Sequence, residues 1–273
     1  MGHAEAYLEI AVLDKGFVRL VEVMGSDASI VQAARVSYGP GTKTVREDAA
    51  LIDYLMRHRH TSPFEMVEFK FHVKAPIFVV RQWFRHRTAS VNEISGRYSV
   101  LKEEFYEPQA WRKQARRNKQ GSEGELSDEE ASLLLKGVER EAYQAYQTLL
   151  EKGIAREMAR MVLPLNLYTE FYWKQDLHNL FHFLALRLDP HAQWEIRQYA
   201  KAIAEIVKAH VPLAWQSFEE HVLKGTHLSR TELKALQGLL TPELYEKALK
   251  ELGLSGSRLQ EALEKIFTPG LPD

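Results

Sequence analysis

The chain has 273 residues, 45% of them hydrophobic and 27% charged, with a formal net charge of −1 and no cysteine. That length supports one large domain or two modest ones without metal or disulfide bracing, and the missing thiols exclude disulfides, iron–sulfur ligation, thiolate zinc sites and cysteine nucleophiles. The near-neutral balance argues against a long nucleic-acid partner. No apolar run approaches a membrane span, and the opening "MGHAEAYLEIAVLDKG" lacks a targeting core, so a cytoplasmic location is expected.

In chain order, residues 7–25 alternate about Lys15-Gly16 as a hairpin does. Residues 26–37 read as a short helix with Ser26 or Asp27 as N-cap. Residues 44–59 read as a second helix, with Thr44 and Glu47 at capping-box spacing and Ile52 and Leu55 in its apolar stripe. "MVEFKFHVK" (66–74) alternates strictly and is the clearest strand. Pro76 suits the first turn of a helix over 76–87, where Ile77, Val80 and Phe84 share one face and Arg81 and Arg85 another.

Residues 107–127 hold basic, Gly and Ser clusters without a period and read as a surface loop or partly disordered insertion. A long amphipathic helix over 127–153 ends at Gly153, and a short one stops at Pro164. A strand over 165–173 precedes a helix capped by Asp176, and Pro190 opens a helix over 191–223 bent at Pro212. Beyond residue 225 three short capped helices form a terminal appendage. Helices and antiparallel-looking strands that do not strictly alternate predict an α+β fold, a β-sheet packed with long α-helices.

Chemistry concentrates in "RHRTASVNEISGRYS" (85–99), where Arg85, Arg87 and Arg97 are fork-shaped donors suited to phosphate or carboxylate. Ser95 and Gly96 would let backbone N–H groups approach an anion, and Glu93 accepts only. A surface salt-bridge cluster is the bland alternative. His178 and His182 lie four apart on the polar side of a helix, but "HNLFH" lacks the acid of a metalloprotease motif, so no metal is expected. Arg187 near that helix end suits the helix dipole, and His58 and His60 suit a helix C-terminus.

Residues 85–99 also resemble the signature of flavin-dependent thymidylate synthases, RHRxxSxNExSxRY, at every fixed position. The likeness spans about residues 10–224, through "HTSPFE", "KAPIFVVRQWFRHR", "REMARMVLPLNLYTEFYW" and "HAQWEIRQYA". It implies a catalytic domain over 1–224 and an extension over 225–273. It implies reductive methylation of deoxyuridylate (dUMP) to dTMP, with methylenetetrahydrofolate giving the carbon, NADPH the reducing equivalents and FAD mediating hydride transfer. By the same resemblance His60, Ser62, Arg85, His86, Arg87, Glu93, His178 and His182 match flavin-binding positions. Gln82, Arg85, Glu93, Ser95, Gly96, Arg97 and Arg160 match positions around dUMP, and Arg187 matches the substrate-activating arginine. Asp176 stands where many relatives have Asn, so the flavin role does not carry to it. The family resemblance also implies a homotetramer with active sites shared between subunits. Two other readings stay open from the residues alone: a nucleotide- or RNA-binding module using 85–97 and 111–119, and a metal hydrolase using His58, His60, His178 and His182.

Overall fold

The computed structural model describes residues 8–36, 45–117 and 121–268. They fall into two compact units, Met1–Leu223 and Lys224–Asp273. The first unit contains strands β1 (Glu9–Val12), β2 (Gly16–Met24), β3 (Glu68–Pro76), β4 (Ser90–Glu93), β5 (Trp111–Gln114), β6 (Ser122–Leu126) and β7 (Tyr168–Asp176). Its helices are α1 (Asp27–Arg35), α2 (Val45–Arg57), α3 (Ile77–Trp83), α4 (Glu129–Glu151), α5 (Arg156–Ala159), α6 (Leu177–Arg187), α7 (Trp194–His210) and α8 (Pro212–Phe218). The fold is α+β, as expected. The main sheet runs β1-β2-β3-β7-β4, every neighbouring pair antiparallel, while β5 and β6 form a separate hairpin.

Strict alternation buries Val67, just before β3, and Phe69, Phe71 and Val73 within it completely beneath the helices. Each such side chain contributes about 1.5–3 kcal/mol over its exposed state. The opposite face carries ion pairs along neighbouring strands, Lys70 with Glu22 and Lys174 with Glu68 at 3.0 Å, and a hydrogen bond between His72 Nε2 and Glu170 at 2.9 Å. Gly16 is required where the first hairpin closes. A Cβ there would lie 2.1 Å from the Tyr199 hydroxyl oxygen and 2.7 Å from the Lys74 carbonyl oxygen.

Helices α3 and α6 follow directly on β3 and β7, which pair with Glu68 opposite Asp176 and Pro76 opposite Tyr168. The two helices therefore start at opposite ends of the strand pair and run toward each other. A nine-residue strand spans roughly 30 Å, while a seven- and an eleven-residue helix together cover roughly 27 Å. Their C-terminal ends meet over the sheet. Trp83 is buried near that junction, its ring 5.3 Å from those of Phe171 and Trp173 and 5.1 Å from that of Phe183.

Several expectations need correction. Residues 107–127 are not an aperiodic loop, since they contain the β5–β6 hairpin. Every residue of β6 is exposed, so no apolar alternation marked it. Pro190 does not open the following helix; it sits in a turn held by Asp189, whose Oδ1 accepts from His191 N at 2.7 Å. That helix starts at Trp194 and is broken at Val211 (φ −132°, ψ 64°) instead of merely bent, with Pro212 at the first position of α8. Ser26 is the N-cap of α1, and Asp27 instead accepts from Leu213 N and Ala214 N at the start of α8, both at 2.9 Å. The Thr44–Glu47 capping box lies outside the residues whose side chains are described.

The second unit holds α9 (Arg230–Leu239), α10 (Pro242–Glu251) and α11 (Gly256–Phe267). Ser229 and Glu232 form a capping box, Thr241 caps α10, and Leu249 and Ile266 are buried.

Candidate active site

Arg187 ends α6 and turns onto the free end of α3. Its Nε donates to His86 Nε2 at 3.0 Å, and one terminal nitrogen donates to the Gln82 carbonyl at 3.1 Å. That carbonyl also accepts from Arg85 N at 3.3 Å, in the turn that ends α3. Two of the five guanidinium N–H groups are thus used and three remain. The His86 ring lies 4.9 Å from Phe183 and 6.1 Å from His182. Burial, then the neighbouring Arg187 and His182, lower the His86 pKa to about 4. A neutral imidazole accepting at Nε2 carries its proton on Nδ1. Burial also pulls Arg187 below its ordinary value, which leaves a desolvated cation backed by a neutral acceptor.

The second cluster surrounds β4 and the turn that follows it. Ile94 N donates to the Glu170 carbonyl at 2.9 Å, extending the edge pairing, and Glu93 accepts from the Thr169 hydroxyl at 2.7 Å. Ser95 Oγ accepts from Arg97 N at 3.3 Å, and Arg97 Nε donates to Glu157 at 3.2 Å. A Cβ on Gly96 would lie 3.0 Å from Leu101 Cδ1 and 3.3 Å from Arg160 Cδ, so Gly96 is the residue that allows Arg160 against this turn. Helix α4 fixes the far side: the Tyr143 hydroxyl donates to the Leu101 carbonyl at 3.0 Å, and Leu101 N donates to the Tyr146 hydroxyl at 3.1 Å.

The structure therefore brings together Gln82, His86, His182 and Arg187 in one corner, and Glu93, Ser95, Gly96, Arg97 and Arg160 in another. Arg85 and Arg87 are exposed beside them and meet no carboxylate among the described residues. His60 and Ser62 follow α2, where Arg59 adopts a left-handed φ of 58° and His60 N donates to the Leu55 carbonyl at 2.9 Å. No hydrogen bond ties His60, Ser62 or His178 to the Arg187 corner among the described residues. Asp176 accepts from Asn179 N at 3.0 Å and Asn179 Nδ2 at 2.7 Å, which makes it the cap of α6. No group of three or more His, Asp or Glu placed to hold a metal ion occurs among the described residues.

Sequence reasoning missed Thr169, Glu157, Gln193 and Glu195. Glu195 is 3% exposed, yet in sequence a Glu in the first turn of a helix looks like an ordinary partner of the helix dipole. Its burial, shared with Tyr106 and Arg112 from distant segments, is the signal that sequence does not carry.

A family model described as "Thymidylate synthase complementing protein" matches residues 19–213. A flavin-dependent thymidylate synthase of Thermus thermophilus is 82% identical over 97% of this chain and 98% of its own length. The enzyme of that name from Treponema denticola is 57% identical over 94% and 97%. Among solved structures, the UMP/dUMP methylase PolB of Streptomyces cacaoi bound with 5-Br dUMP superposes with a TM-score of 0.73 at 34% identity, covering 80% of this chain and all of that one. The signature at 85–99, the fold that carries it and these matches agree, and the chain belongs to the flavin-dependent thymidylate synthase family.

Proposed function

We infer that this protein methylates dUMP reductively to dTMP, using FAD and no cysteine nucleophile. The observation that carries the reading is the Arg187 corner: a half-buried guanidinium held by the neutral His86 ring and the Gln82 carbonyl, with three N–H donors left over. A fixed cation beside the uracil carbonyls stabilises negative charge as it develops on the ring, so the ring carbon becomes nucleophilic without a covalent enzyme adduct. Arg97, Arg160 and Ser95 bind the nucleotide, and Gly96 admits its close approach. Ser95 is a positioning group; its Oγ meets the Arg97 N–H, and no imidazole is among its partners in the described residues.

The donor set suits a flavin dinucleotide. Arg85 and Arg87 are exposed fixed cations with no carboxylate among the described residues, as a diphosphate requires, and His60, Ser62, His178 and His182 supply further polar groups. When bound, FAD supplies the two-electron redox chemistry that side chains lack. In the same reading methylenetetrahydrofolate gives the carbon and NADPH the reducing equivalents, in the cytoplasm. Residues 1–224 form the catalytic domain and 225–273 its extension. A homotetramer with shared active sites is supported by the apolar side chains flanking the arginine turn: Tyr98 is 73% exposed, Met161 72%, Leu165 54% and Met158 53%. Such a patch calls for a covering partner.

An anaerobic visible spectrum tests the proposal. The purified protein should show a flavin band that NADPH bleaches, at a rate that dUMP changes. A colourless protein that takes up no added FAD would overturn it.

A further inference from the structure

Behind the Arg187 corner, Gln82, Gln193 and Glu195 form a line of side-chain hydrogen bonds. Gln193 Nε2 donates to Glu195 Oε2 at 2.9 Å, and Gln82 Nε2 donates to Gln193 Oε1. The other oxygen of Glu195 accepts from Arg112 of the β5–β6 hairpin and, at 3.2 Å, from the Tyr106 hydroxyl. Arg112 also lies over the Trp194 ring, 5.1 Å from its centroid. Glu195 is thus a buried carboxylate neutralised by a guanidinium that the hairpin delivers.

This line has a direction. A carboxylate paired with arginine is ionised and can only accept. Gln193 must therefore turn its NH2 group toward Glu195, which leaves its carbonyl oxygen for the next residue. Gln82 must then offer its own NH2 to Gln193. An isolated glutamine side chain has no such preference, because its two ends are nearly identical in shape. Here a charge two residues along the line imposes one. At its main chain Gln82 is held too, since its carbonyl accepts from Arg187. Besides one amide N–H, Gln82 keeps its side-chain carbonyl oxygen for a ligand.

We propose that Glu195 is a positioning residue that acts through Gln193 to hold Gln82 as a hydrogen-bond acceptor toward the nucleotide substrate. The proposal rests on the dUMP reading above and deepens it. A nucleotide group that carries a hydrogen, a sugar hydroxyl or a ring N–H, meets an acceptor already aligned. With a neutral amide at 195, Arg112 keeps the amide oxygen and the NH2 faces Gln193, so the line reverses and Gln82 turns its own NH2, not its oxygen, toward the ligand. The expected loss is in binding, since Arg187 keeps its place on the main-chain carbonyl of Gln82.

The test uses the FAD-loaded enzyme, with calorimetric affinity for dUMP and steady-state rates. Glu195→Gln should weaken dUMP binding about tenfold with kcat within about twofold, and the same substitution in a Gln82→Ala background should change affinity no further. Gln193→Leu, which leaves the Glu195–Arg112 pair intact, should reproduce the loss and its dependence on Gln82, and it serves if Glu195→Gln does not fold. Unchanged affinity in Gln193→Leu, or losses that add to that of Gln82→Ala, would overturn the role of Glu195. Wild-type enzyme that fails to bind dUMP would instead overturn the substrate reading.

Discussion

Arg187 and Arg97 carry the same group and are held in opposite ways. Arg187 comes off a buried helix end, donates to a neutral ring and a main-chain carbonyl, and faces no carboxylate among its described partners. Arg97 stands on an edge turn with its side chain 55% exposed, paired to a Glu157 that is 54% exposed. A cation with a neutral acceptor in a desolvated corner keeps its field for a reacting group, whereas a cation on a solvated turn is screened and exchanges its partner readily. The difference suits one arginine to the chemistry and the other to binding.

The largest expected effect is therefore on rate at the corner. Arg187→Ala should lower kcat about 10²- to 10³-fold while FAD remains bound, measured by turnover and by the flavin spectrum. Normal turnover would break the division between the two arginines. On the turn, Arg97→Ala should weaken dUMP binding about ten- to a hundredfold by calorimetry, the scale of one charge-assisted hydrogen bond. Glu157→Ala, its exposed partner, should change unfolding free energy by less than about 1 kcal/mol. A larger loss would mean that the pair is structural and the comparison misplaced.

The smallest effect is a titration that sharpens the contrast. The His86 pKa is lowered from 6.5 to about 4, so between those values the unfolded chain binds more protons at this residue than the folded one. Stability from this group therefore rises with pH across that window, is lost as pH falls from about 6.5 toward 4, and levels off above pH 7. Ring NMR shifts should show His86 neutral at pH 5.5. A midpoint near 6.5 would mean that the corner is as solvated as the turn.

Local patterns were legible where one face is buried and the other wet. Strand β3 announced itself through Phe69, Phe71 and Val73, the helix α3 through Ile77 and Val80, and the cap of α6 through Asp176. The three helices after residue 225 were legible through Ser229, Thr241 and their amphipathic period. The β5–β6 hairpin was not, because a ribbon with almost no buried face carries no alternation. Asp27 was read as a candidate cap for its own helix, although it caps α8 more than 180 positions away.

The sequence by itself determined the signature at 85–99, the exclusion of thiol chemistry and the α+β class, because each follows from residue type and short-range spacing. The tertiary structure decided which of those residues meet. Residue 187 reaches 82 and 86 because antiparallel pairing of β3 with β7 aims two helices at each other. Glu195 joins Arg112 and Tyr106 because the hairpin folds back onto the start of α7. Such contacts depend on register and on helix length summed over a hundred residues, and no local pattern encodes that sum.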